Sequence, residues 1–192
     1  MIKKEIMYFH EPGEENTETV MRLAKKRADE LKIRNIIIAS TRGNTALKAV
    51  EFFDPKEYNL IIVTHATGFR EIGIQEFSEE IRQKLLDMGV KVLTCIHALS
   101  GVERALRKML NTWGPVELIA QALRLFGEGA KVAVEITVMA ADAGLIPVNQ
   151  DVIAIAGTGK GADSAFVIKP AHSRNFFDLF VKEIICKPLK HF

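Results

Sequence analysis

Residues 36–50 read "IIIASTRGNTALKAV". Ile36 to Ala39 is a β-branched apolar run of the kind found in strands buried on both faces of a parallel sheet. It ends abruptly in Ser40-Thr41-Arg42-Gly43-Asn44-Thr45. A helical pattern follows, with Asn44 or Thr45 as its cap and Leu47, Val50 and Phe53 on its apolar face. Asp54-Pro55 stops that helix, and Leu60 to Val63 reads as the next strand. Strand, turn, helix and strand in this order make a βαβ unit, which implies a parallel sheet covered by helices on both faces.

The rhythm extends in both directions. Upstream, Ile6 to Phe9 reads as a short strand, and Asn16 caps a helix whose face carries Val20, Leu23, Ala24 and Leu31. Downstream, a helix from Ser78 to Met88 ends at Gly89, and Val90 to Ile96 is a fourth strand. The second half departs from the pattern. Gly101 to Leu110 is an amphipathic helix, and Pro115 opens another with Val116, Ile119, Ala120 and Leu123 on one face. These extra helices, at about 101–127, either bury an interface or simply cover the sheet. "KVAVEITVMAADAGLI" alternates like a strand at its start but has the length and alanine content of a buried helix. "DVIAIAG" and "SAFVIKP" read as strands joined by "GTGKGAD", and the tail covers the sheet. The expected fold class is α/β: three layers, α/β/α, with a mostly parallel sheet and an antiparallel edge strand, residues 1–192 forming one domain.

Composition limits the function classes. Of 192 residues, 48% are apolar and 26% charged, enough for a core and ordinary for a soluble domain. A net charge of +2 without a basic stripe gives no reason to expect nucleic acid or membrane as partner. The start lacks a signal-peptide apolar region, and no apolar run reaches membrane-spanning length. Cys95 and Cys186 stand apart without a partner motif, as reduced thiols do, so a cytoplasmic location is expected.

In a sheet of this kind ligands bind beyond the carboxyl ends of the strands. The loops there are His10 to Gly13, Ser40 to Thr45, "THATGF" (Thr64 to Phe69) and "HALSG" (His97 to Gly101). The second loop offers Ser40, Thr41 and Thr45 hydroxyls, the Arg42 guanidinium and a flexible Gly43 before a helix start, which together suit a phosphate. Plain helix capping accounts for the same residues equally well. "GTGKGAD" matches neither common nucleotide-loop pattern, but it can form an anion-binding nest near Lys160, or serve as a flexible hairpin connection. If residues 132–145 are helical, Glu135, Met139 and Asp142 share a face. Glu135 then either binds ligand hydroxyls or acts as a base, or else it pairs with a basic side chain or caps a neighbouring loop.

Two stretches carry a resemblance. "IIIASTRGNTALKAVEFFDPKEYNLIIVT" resembles the strand–loop–helix–strand unit of the C-terminal domain of pyruvate kinases, and "MAADAGLIPVNQDVIAIAGTGKGADSAFVI" resembles that domain's last part. In those kinases the first loop grips a phosphate of a sugar-bisphosphate activator. The resemblance turns the ambiguous stretch toward a helix. Through "STRGNTA", "THATGF", "HALSGVERA", "VEITVMAADAG", "GADSA" and "PAHSRNFFD" the chain looks closer still to small stand-alone archaeal and bacterial proteins named after that domain. Members of that group look like flavin mononucleotide (FMN) binders.

The resemblance carries the phosphate loop onto Ser40, Thr41, Gly43, Asn44 and Thr45, with Arg42 at a more variable position and Gly157, Gly159 and Gly161 matching loosely. The flavin ring is placed by geometry among Thr64, His65, Thr67 and Gly68, among His97, Ser100 and Gly101, and on the Glu135–Met139 face. It implies an FMN-binding protein of unassigned reaction, possibly an oxidoreductase. Pyruvate kinase activity is not expected, because a (β/α)₈ catalytic barrel alone takes about 250 residues. Two alternatives stand beside it: a non-catalytic binding module for a small phosphate-bearing metabolite, and a metal-dependent hydrolase using His10, His65 and His97. A homo-oligomer is compatible with each.

Overall fold

The strand that opens the βαβ unit lies inside the sheet, beside its middle strand. The structure is a computed structural model that describes residue 1 and residues 3–190. Its seven strands are β1 (Met7–Phe9), β2 (Asn35–Ala39), β3 (Asn59–Val63), β4 (Lys91–Leu93), β5 (Val152–Ala156), β6 (Ser164–Lys169) and β7 (Phe180–Pro188). They form one sheet in the order β1-β7-β6-β5-β2-β3-β4. The helices are α1 (Thr17–Leu31), α2 (Asn44–Ala49), α3 (Glu79–Asp87), α4 (Glu103–Leu110), α5 (Pro115–Arg124) and α6 (Glu128–Asp142).

Strand alternation sorts the core into two halves. Ile36 and Ile38 of β2 face α1 and α2, joining Val20, Met21, Ala24, Ala46 and Phe53. Ile37 faces the other way, joining Ala133, Val134 and Ala140 of α6. A strand buried on both faces needs apolar residues at every position, and "NIIIA" and "VIAIA" supply them. The edge strands β1 and β4 have three residues each, which leaves little open ladder for unwanted pairing.

The fold is the expected three-layer, mostly parallel α/β arrangement, with one shift. β6 runs antiparallel to both β5 and β7, and it lies inside the sheet because the tail forms β7 and β1 then adds beyond it. The ambiguous stretch is helical. α6 buries twelve of its residues between the sheet and α5, where its small residues let the layers approach. Local expectations moved too. Asn16 precedes α1 without a side-chain cap and instead donates to the Glu11 and Gly13 carbonyls. Leu31 is exposed, and Ala28 takes its place in the core. Ser78 does cap α3, accepting the Ile81 amide at 3.3 Å.

Candidate functional site

β1 to β5 all point the same way, so the loops that follow them meet at one edge of the sheet. There they surround a cleft of about 650 Å³. Ser40, Thr41, Arg42, Asn44, Thr45, Thr64, His65, His97, Glu135, Met139, Gly157, Gly159 and Gly161 all line it. Gly43 does not. Its φ of 105° starts α2, and a Cβ there would stand 2.8 Å from Ile81, so close packing on α3 requires glycine. Thr67 and Gly68 sit on an exposed turn, where Thr67 accepts a bond from Gln75. Ser100 and Gly101 line a separate cavity of about 480 Å³ behind His97 and Met139.

The 40–45 turn is held from beneath. Ser40 is buried, donates its amide to Val63 and accepts the Ala46 amide on Oγ. The amides of residues 41 to 45 meet no hydrogen-bond acceptor among the described residues. α2 has only six residues, so its dipole adds little; the run of amides itself is the attractive feature. Thr41 Oγ1 lies 3.5 Å from His65 Nε2, and His65 Nδ1 lies 2.8 Å from Glu76. Burial lowers the His65 pKa, against the opposing pull of Glu76. Phe69 stacks on His97 with ring centroids 4.9 Å apart, and the Arg104 guanidinium lies 5.5 Å from the Phe69 ring centroid.

The floor is a buried ionic group. Glu135 is 2% exposed and both its oxygens are occupied: Oε1 accepts the Leu99 amide, and Oε2 takes Lys131 at 2.5 Å and faces His97 Nδ1 at 3.6 Å. His97 Nε2 accepts the Ala66 amide, which leaves the ring hydrogen on Nδ1, toward Glu135. Burial alone would raise the Glu135 pKa, but His97 and Lys131 overcome it and hold it at about 2. Lys131 is also lowered, because its own burial outweighs the help from Glu135. The ammonium is thus the costly member of the pair and the carboxylate the one that gains. Glu135 thus both pairs with a basic side chain and accepts a neighbouring loop's amide, while it still lines the cleft.

The glycine-rich loop is fixed by Asp163. This fully buried carboxylate accepts the Thr158 amide at 2.9 Å, the Gly13 amide at 3.3 Å and the Ser164 hydroxyl at 2.7 Å. Gly161, with φ 67°, lets the loop pass so close to α1 that a Cβ would fall 2.5 Å from the Glu14 Cα.

Sequence reading missed Arg70, Arg104, Arg124, Glu128 and Lys131 as lining residues. A signal for the last three existed. Glu128, Lys131 and Glu135 recur at intervals of three and four, a polar stripe on the otherwise apolar α6, and Arg124 ends the helix before it. The alternative that uses His10, His65 and His97 gains no support: no cluster of three or more metal-binding side chains exists among the described residues. No helix among them is long and apolar enough to cross a membrane.

Comparison with known proteins adds a family. Three solved structures of Cryptosporidium parvum pyruvate kinase match part of this chain. One, in complex with ADP, is 16% identical over 81% of this chain and 24% of that one, with a TM-score of 0.44. The others are 18% and 17% identical, over 74% and 73% of this chain and 20% of each kinase, with TM-scores of 0.37 and 0.34. The chain therefore spans about a quarter or less of the length of these kinases. The family model described as "Pyruvate kinase, alpha/beta domain" matches residues 18–168, well over half of the chain. The family match corrects the expected flavin-dependent, possibly oxidoreductase function: what it supports is a pyruvate kinase α/β domain. The chain belongs to the pyruvate kinase α/β domain family.

Proposed function

We propose that this domain binds a small phosphate-bearing molecule in the cleft at the carboxyl edge of its sheet. The observation that carries the reading is the run of five backbone amides, residues 41 to 45, without a protein acceptor. An anion satisfies such a run without protein rearrangement. The charge of the lining supports the same ligand. Arg42, Arg70, Arg104, Arg124, Lys131 and Lys160 oppose Glu14, Glu128 and Glu135, six basic groups against three acidic. Arg42 and Lys160 have no carboxylate within 4.0 Å among the described residues. Phosphate is then held by amides and hydroxyls at Ser40 to Thr45, with Arg42 and Lys160 as charged partners and the Gly157–Gly161 loop closing one side. A cytoplasmic setting suits such a ligand, and Cys95 and Cys186 are both unpaired thiols.

Calorimetric titration with inorganic phosphate and with sugar mono- and bisphosphates tests this. Binding should weaken as salt rises. The double substitution Thr41→Val with Thr45→Val keeps side-chain volume and removes two hydroxyls; it should weaken binding at least tenfold, about 1.4 kcal/mol. Arg42→Ala with Lys160→Ala should weaken it further, by about a hundredfold. Absence of heat with every phosphate, or unchanged affinity in both variants, returns the 40–45 turn to plain capping.

A further inference from the structure

The charged and apolar sides of α4 are reversed relative to the protein. Glu103 faces inward and accepts the amides of Val116 and Glu117 at the start of α5. Arg104 and Arg107 face inward to Glu117, which is 3% exposed. The apolar stripe faces out: Val102 is 70% exposed, Leu106 45%, Met109 73% and Leu110 59%. No residue of this eight-residue helix is buried. A helix this short does not hold itself in water; packing of its apolar face does that, and within one chain that face packs on nothing.

α5 repeats the pattern. Val116, Ile119, Ala120 and Leu123 pack inward on α6, as the sequence led us to expect. Leu118 and Leu125, on the other side, are 55% and 83% exposed, and Phe126 follows at 57%. A helix that is apolar all round is one covered on all sides.

We propose that this outward face of α4 and α5 is the contact between two copies of this chain. The exposed apolar side chains from Val102 to Phe126 offer on the order of 1,000 Å², enough for one partner's share of an interface of ordinary size. Lys108 is the one exposed ionisable residue between 105 and 122, so two copies meet without a field of like charges. Two helix pairs brought together face to face form a four-helix contact, and a two-fold axis makes identical apolar stripes complementary. The inner faces of the same helices supply Arg104 and Arg124 to the cleft, so the contact also holds one cleft wall in place.

The full chain carries a single tryptophan, Trp113, which lies in this face and is 48% exposed. Sedimentation velocity and tryptophan emission, followed over a dilution series from about 100 μM, test the proposal together. The expected result is a mass of at least twice 21.4 kDa, with emission moving to longer wavelength as dilution releases the monomer. Leu106→Asp with Met109→Asp should give the monomer at all concentrations, with cooperative thermal unfolding of the rest of the fold retained. Leu118→Asp is the second variant, on the other helix, and should do the same. Phe177→Asp, at an 87% exposed position elsewhere, should leave the dimer intact. A wild-type chain that stays at 21.4 kDa throughout, or Asp variants that fold and still dimerise, overturn the proposal. A monomer would give this surface to a different protein.

Discussion

Glu135→Ala is expected to be among the most destabilising single substitutions in this chain, at about 3–5 kcal/mol. The side chain is 2% exposed and Lys131 is 5% exposed, so removing the carboxylate leaves a buried ammonium without its counter-charge. It also leaves the Leu99 amide without its acceptor and removes the carboxylate that faces His97 Nδ1. For a domain of this size such a loss lowers the melting temperature on the order of 10 °C. The companion variant separates charge from packing. Glu135→Leu with Lys131→Met removes both charges and keeps volume, and it should recover most of the loss. The pH dependence has a definite sign. The folded pKa of Glu135, about 2, lies below the ordinary value of 4.5. Its contribution is therefore present in full above about pH 4.5 and is lost as pH falls toward 2. Urea denaturation of wild type and Glu135→Gln at pH 7 and pH 3 reads this. The gap between them should be wide at pH 7 and narrow at pH 3. A gap that is small at pH 7, or equal at both, removes Glu135 as the keystone of the cleft floor.

The parts of the fold that could be read from sequence are those whose cause is local. Ile36 to Ala39 is a β-branched run with polar punctuation on its far side, and no other element satisfies that pattern. The stretch from Val132 to Leu145 is different, because β-branched residues favour a strand and its length favours a helix. What decides it is tertiary: its alanines let α6 lie close on the sheet, and Glu135 accepts the amide of Leu99 from a distant loop. The place of the antiparallel strand was also not legible. It depends on the tail pairing with β6 as β7, while Met7 of β1 pairs in turn with Cys186, a contact between the two ends of the chain that no local window contains. The site divides in the same way. The Ser40–Thr45 turn announces itself within one βαβ unit. Arg104, Arg124 and Lys131 reach the cleft from helices 60 or more residues later, and only the folded layers bring them there.

Asp163→Ala carries the second large effect, again about 3–5 kcal/mol, for a different reason. Asp163 is fully buried and has no cation within 4.0 Å among the described residues; its charge is held by donors alone. Substitution leaves the Thr158 amide, the Gly13 amide and the Ser164 hydroxyl without an acceptor in a buried place, at about 1–3 kcal/mol for each group that finds no substitute. Two of these donors lie in different loops, the one after β1 and the one after β5. Losing the carboxylate therefore frees the Gly157–Gly161 loop from the 10–13 loop as well as lowering stability. Asp163→Asn keeps the shape and one accepting oxygen but turns a donor toward a donor, so it should lose about half as much. Hydrogen exchange makes the distinction visible. In Asp163→Asn the Thr158 amide should exchange faster by at least tenfold under conditions where the amides of Ile153 and Ile155, in the sheet centre, do not change. If Thr158 and the sheet amides change together, Asp163 supports the whole fold rather than the loop. If neither changes, the loop is held by the close approach at Gly161 instead, and Gly161→Ala becomes the substitution that moves it.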